Sequence, residues 1–132
     1  MRAIVFIAAL IAAAVVTGCG AQTGDPEQVL KAFYKAANQG KYEEAKQYLS
    51  QEGIRKIEGP LGVLLGGWKR IMDKYTRGGT LEKVEVYDLN IRGEGATSMI
   101  QKHFKDNSTQ VLPVEFIKEN GNWKISWSTP TL

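Results

Sequence analysis

LEKVEVYDLNI, residues 81–91, is the stretch in which the chain changes its period. Before it, apolar residues recur every three or four positions. From Leu81 onward they recur every second position, the repeat of a half-buried strand. The alternation changes phase partway: Val84 and Val86 share one parity, Leu89 and Ile91 the other. A strand can keep one face toward a core across such a change only by inserting a residue, so a β-bulge is predicted near Tyr87-Asp88. A bulged strand bends, and the sheet it belongs to should be curved.

Downstream the period of two continues. Gly93-Glu94-Gly95 reads as a turn. Residues 96–105 form a second strand with Ala96, Ser98, Ile100 and Phe104 on one face, and Asp106-Asn107-Ser108 turns again. Residues 109–118 form a third strand. Pro113 within it has no N–H to donate, which implies a bulge or an unpaired position. Asn120-Gly121 is a hairpin signal. Trp123, Ile125 and Trp127 then alternate with Lys124, Ser126 and Ser128 in a half-buried last strand.

Upstream the period is helical. Asp25 can cap, Pro26 suits the first helical position and Gln28 can reach back in a capping box. Val29, Leu30, Phe33, Tyr34 and Ala37 fall on one face, and Asn38-Gln39-Gly40 closes the helix. A second short helix over 41–49 carries Tyr42, Ala45, Tyr48 and Leu49. Gly59-Pro60 opens a longer helix to about residue 76, with Leu61, Leu64, Leu65, Trp68, Ile71, Met72 and Tyr75 as its apolar stripe. Gly66 and Gly67 lie inside it and predict a kink or close packing there. Helices followed by a strand meander give an α+β fold. The N-terminal helices should pack on a strongly curved antiparallel sheet of about four strands, forming a cone with a hollow.

The start of the chain is different in kind. Residues 3–16, AIVFIAALIAAAVV, follow Arg2 and are uninterruptedly apolar. As a helix they would rise about 21 Å at ~1.5 Å per residue, short of the roughly 30 Å of bilayer hydrocarbon. That length is expected of a secretory signal over residues 1–18. Val16-Thr17-Gly18-Cys19 resembles the lipobox of bacterial lipoproteins, and Cys19 is the only cysteine. The resemblance implies a diacylglyceryl thioether on Cys19, which becomes the first mature residue, and a lipid anchor in the cell envelope. Gly20 lacks the Asp that holds enterobacterial lipoproteins at the inner membrane, so either membrane is open to it. Residues 19–24 would be a short tether and residues 25–132 one domain.

DPEQVLKAFYKAANQGKYEEAKQYLS at one end and VEFIKENGNWKIS at the other are similar to the opening helices and closing hairpin of nuclear transport factor 2-like domains. The resemblance spans about residues 25–128 and extends to an uncharacterised lipoprotein family within that superfamily. It implies the cystatin-like cone. It does not choose among the superfamily's isomerases, dehydratases, hydrolases and non-catalytic binders.

Composition narrows the chemistry. The chain carries +3, or +2 without Arg2, too mild a charge to argue for nucleic acid. With Cys19 assigned to lipid and His103 the sole histidine, no thiolate–imidazole zinc site can be built, and no cofactor motif is present. His103 falls on the strand face turned away from the helices. Asp88 and Tyr87, at the bulge, are the nearest candidates for a proton-transfer group redirected into the cone. Tyr34, Trp68, Tyr75, Trp123 and Trp127 are candidates, with Asp88, for the lining of a pocket. Arg70, Lys74 and Arg77 share a helix face with Lys69 nearby, and could meet anionic lipid heads or cell-wall polymers.

The sequence therefore points to a membrane-anchored envelope lipoprotein whose domain binds a small apolar ligand or an envelope protein without catalysis. A cone-pocket enzyme using an Asp or Tyr, and an assembly module forming a homodimer through the sheet face, are the alternatives.

Overall fold

The structure is a computed structural model and describes residues 24–126. The predicted signal, the lipobox with Cys19, and Trp127 lie outside the described residues. Helices α1 (Pro26–Asn38), α2 (Tyr42–Lys46), α3 (Gln51–Glu58), α4 (Pro60–Leu64) and α5 (Gly67–Thr76) precede strands β1 (Leu81–Arg92), β2 (Gly95–Phe104), β3 (Thr109–Glu119) and β4 (Asn122–Ser126). The strands form an antiparallel meander in the order β1-β2-β3-β4. This is the α+β architecture expected from the sequence.

The predicted bulge is present. Tyr87 pairs with Met99 and the next pair is Asn90 with Thr97, so Asp88 and Leu89 together face the single residue Ser98. Asp88 takes a φ of 54°, a left-handed value that Asp tolerates better than most residues. A second shift lies between Leu81 and Lys83. Strand β3 needs no bulge at Pro113. Its register with β2 runs unbroken from Gly95↔Ile117 to His103↔Thr109, and the last described β3–β4 pair is Glu115↔Ser126, so Pro113 lies past the paired part of that edge. The hairpin β3–β4 turns at Asn120 and Gly121, both with positive φ, as the Asn-Gly signal demands.

Helix α1 begins as read. The Asp25 side chain accepts a hydrogen bond from the Gln28 N–H at 2.9 Å, and Pro26 occupies the first turn. Its far end is tied to the sheet by a reciprocal pair. Asn38 Nδ2 donates to the Leu81 carbonyl at 2.9 Å and its Oδ1 accepts from the Leu81 N–H at 3.0 Å. Helix α2 is shorter than the 41–49 expected. Tyr48 and Leu49 leave it because their backbone pairs instead with β4: Ile125 N–H donates to the Tyr48 carbonyl, and Ser50 N–H to the Ile125 carbonyl.

Two corrections concern the middle of the chain. Helix α3 was not anticipated. Its apolar content is only Ile54 and Ile57, too little for a periodicity, but Ser50 caps it by accepting from the Gly53 N–H at 3.1 Å. The long helix expected over residues 60–76 is two helices. Gly66 at φ 103° and Gly67 at φ 72° break it outright rather than kink it, because two successive left-handed residues cannot continue a right-handed helix. As a result Leu61, Leu64 and Leu65 do not continue the stripe of Trp68, Ile71, Met72 and Tyr75. They are exposed, whereas Met72 is fully buried.

The core lies between α1 and the concave face of the sheet. Val29, Leu30, Phe33 and Tyr34 meet Leu81, Val84, Ile100, Phe104, Phe116 and Ile125, with Ala45, Leu49, Ile57 and Met72 closing the side. Beyond the bulge β1 runs past this cover, so Leu89 and Ile91, read as core by their parity, are exposed.

Candidate functional site

A cleft of about 1090 Å³ opens among α3, α4 and α5. Ile57, Ile71 and Tyr75 line it from the core side, and Leu61, Leu64 and Leu65 from α4 and its C-terminal end. Gly62 makes the arrangement possible. It is buried against the Ile57 backbone, so closely that a Cβ there would overlap the Ile57 carbonyl group. Arg55, Lys56, Arg70 and Lys74 also line the cleft, and Asp73 is its one acidic lining residue.

The electrostatics of this rim are asymmetric. Asp73 accepts from Tyr42 Oη at 3.1 Å and from Lys69 Nζ at 3.1 Å. The Lys69 bond, with help from Tyr42, holds the Asp73 carboxyl below the usual range, so it is ionised and already occupied. Lys56 pairs with Glu52 at 3.2 Å. No carboxylate lies within ion-pair distance of Arg55, Arg70 or Lys74 among the described residues. The cleft is therefore apolar inside and cationic at its edge. An anionic head with an apolar tail is the ligand chemistry that such a surface recognises.

The residues singled out from the sequence are not brought together. Tyr75 alone among them lines the cleft. Tyr34 is buried in the core, edge-on to Phe33 with ring centroids 5.1 Å apart. Trp68 faces another way: its Nε1 donates to Glu58 Oε1 at 3.3 Å, while Lys46, paired with the same Glu58, lies over its ring. Trp123 packs at the sheet end beneath Lys118. Asp88 is exposed, and so is Tyr87, because the bulge turns them outward rather than into the cone. The burial and inward aim that a proton-transfer role for Asp88 requires are not met. His103 lies on the outer face as expected, with Nε2 3.4 Å from Glu85.

The cone holds instead a group that the sequence reading passed over. Lys102 has the same parity as Ala96, Ser98, Ile100 and Phe104, and points with them into the core, 1% exposed. Its Nζ donates to the Tyr75 carbonyl at 2.9 Å and lies 5.1 Å from the Tyr34 ring centroid, 5.4 Å from that of Tyr75 and 5.9 Å from that of Phe104. Three aromatic faces and one carbonyl replace the carboxylate that buried lysines usually find. Burial, and secondarily the nearby Arg77 charge, depress its pKa to about 8. Arg77 stacks on Phe104 at 4.0 Å and is held by Ser108 at 2.7 Å. Burial also raises both tyrosines, Tyr75 to about 12 and Tyr34 beyond that range. The signal that could have found Lys102 is parity, which is blind to charge. Tyr75 joins the two features, lining the cleft and bonding the ammonium behind it.

The fold is shared with solved structures of low sequence identity. A Campylobacter jejuni protein described as an NTF2-like transpeptidase superposes with a TM-score of 0.55 at 15% identity, covering 80% of this chain and 100% of that one. A SEC-C motif containing protein from Rhodopseudomonas palustris gives 0.53 at 17% identity, covering 76% of this chain and 74% of its own. No curated protein matches the sequence. The family model for DUF4878, a domain of unknown function, matches residues 17–126, and the chain belongs to that family.

Proposed function

We propose that the domain binds a single-chain anionic amphiphile in the α3–α4–α5 cleft and does so without catalysis, as an envelope lipoprotein anchored through Cys19. One observation carries the reading: an apolar cleft of about 1090 Å³ whose unpaired edge charges are all positive. The acyl chain would lie on Leu61, Leu65 and Ile71, and the acidic head would pair with Arg55, Arg70 or Lys74. The volume is of the order that encloses a small-molecule ligand, roughly 300–1,000 Å³. The site is not the cone interior to which the aromatic residues first pointed; the packed core and Lys102 fill that space. The envelope location rests on the lipobox resemblance and on the apolar run before it. The transpeptidase description of the Campylobacter jejuni neighbour is not carried over, because likeness at 15% identity is a likeness of fold.

The test pairs native mass spectrometry of the chain purified from its host with calorimetric titration of dodecanoate. Expected are an acylated mature chain with a co-purifying acidic amphiphile and saturable dodecanoate binding. Ile71→Phe, which fills the cleft, should weaken that binding about tenfold. Absence of both a co-purifying amphiphile and saturable binding would overturn the ligand reading. A mature chain with unmodified Cys19 would overturn the anchor.

A further inference from the structure

Helix α4 presents to solvent what a surface normally hides. Leu61, Val63 and Leu64 are 63, 67 and 80% exposed on one five-residue helix. Single exposed leucines are ordinary, but three apolar side chains this exposed on so short an element make an unusual apolar surface. That surface also outruns the cleft, since Leu61 and Leu64 line it and Val63 does not. Behind α4, Arg70 and Lys74 stand four residues apart on α5, and neither has a carboxylate within ion-pair distance among the described residues. Protein interfaces deplete charge around their apolar centres. An apolar tip beside unpaired cations suits a bilayer surface, where side chains enter the acyl boundary and the cations stay at the depth of the phosphates.

We infer that α4 docks onto an anionic membrane surface, with Leu61, Val63 and Leu64 dipping below the headgroups and Arg70 and Lys74 pairing with lipid phosphates. Docking requires no ligand in the cleft, although Leu61, Arg70 and Lys74 are shared with the proposed ligand site. It would, however, set the cleft against the bilayer, the source of an amphiphile. The break at Gly66 and Gly67 then has a use, because it lets α4 leave the core stripe and project.

The experiment is hydrogen–deuterium exchange on the full chain incorporated in phosphatidylcholine vesicles with and without phosphatidylglycerol. Whatever holds the N-terminal segment is common to both vesicles, so the α4 amides report docking locally. Exchange at residues 61–66 should slow about tenfold or more with the anionic lipid, and the slowing should fade as salt rises. Val63→Asp should abolish it while β2 exchange stays unchanged. Ile71→Phe should leave it intact, which separates it from ligand binding. Equal exchange in the two vesicles would overturn the proposal. So would protection that grows with protein concentration in the absence of lipid, since a second copy would then be the partner.

Discussion

At the centre of the fold a cation sits among aromatic rings; at α4, leucines sit among cations. The two regions invert the usual placement of charge and oil, and they do so under different constraints. Lys102 is held by position: it occupies an inward place on β2 between Ile100 and Phe104, and the strand cannot turn it out without turning its neighbours. Its burial lowers stability, and the rings and the Tyr75 carbonyl recover part of the loss. Leu61, Val63 and Leu64 are held by nothing of the kind. A short break after Leu65 frees their helix from the core stripe. Departures from local rules concentrate where a protein does its work, and a surface departure is the one that a partner can reach. For that reason the proposed binding surfaces are the cleft and α4 rather than the cone.

The sharpest break in this comparison comes from the core side. Phe104→Ala removes one wall of the lysine cage and a fully buried ring. It should destabilise the domain by about 3–5 kcal/mol in urea unfolding. Loss near zero would mean that the cage is not packed as described.

The next effect is a pH profile. Lys102 has its folded pKa near 8 against an ordinary 10.5, so between those values the unfolded chain binds more protons and stability rises with pH. Below pH 8 the penalty is present in full, at about 3 kcal/mol. Tyr75 acts in the opposite sense. Its pKa is raised from 10.0 to about 12, so its contribution is lost as pH climbs through that window. Stability should therefore climb from pH 8, peak near pH 10 and fall beyond. Lys102→Met should flatten the climb and leave the fall. A wild-type profile already flat between pH 8 and 10 would show the ammonium to be solvated.

Gly62→Ala probes the hinge between the two regions. The new Cβ meets the Ile57 backbone, and α4 must move off α3. A loss of about 1–3 kcal/mol is expected from overpacking, together with weaker dodecanoate binding. Unchanged affinity would detach the cleft from this contact. The smallest expected effect is the most telling. Leu64→Ala should change stability by no more than about 0.5 kcal/mol, as exposed positions do, while weakening vesicle protection at α4. A core-sized loss would mean that Leu64 supports the fold rather than a partner.

Legibility followed the range of the interactions. The capped start of α1, the bulge at Tyr87-Asp88, the Asn-Gly hairpin and the inward face of β2 were all readable, because each depends on residues within a few positions of one another. Helix α3 was missed because its cap is strong but its stripe is thin. The aromatics were misplaced because period tells which residues turn inward, not which of them meet. Tyr34 went to the core, Trp68 to Glu58, and only Tyr75 to the cleft. Asp88 carried the right bulge and the wrong direction.

The sequence by itself determined the order of helices before strands, the capped start of α1, the bulge in β1 and the closing hairpin, since period, capping and turn chemistry are local and survive without the rest of the chain. It also confined chemistry by what it lacks, with one cysteine and one histidine in the whole chain. Tertiary structure alone decided that the cone is filled, that Lys102 lies in its aromatic cage, and that the cleft opens among α3, α4 and α5. Those outcomes depend on how far the helix leaves the stripe after two left-handed glycines, and on which distant side chains then fill the space. Packing settles both, and no spacing along the chain encodes them.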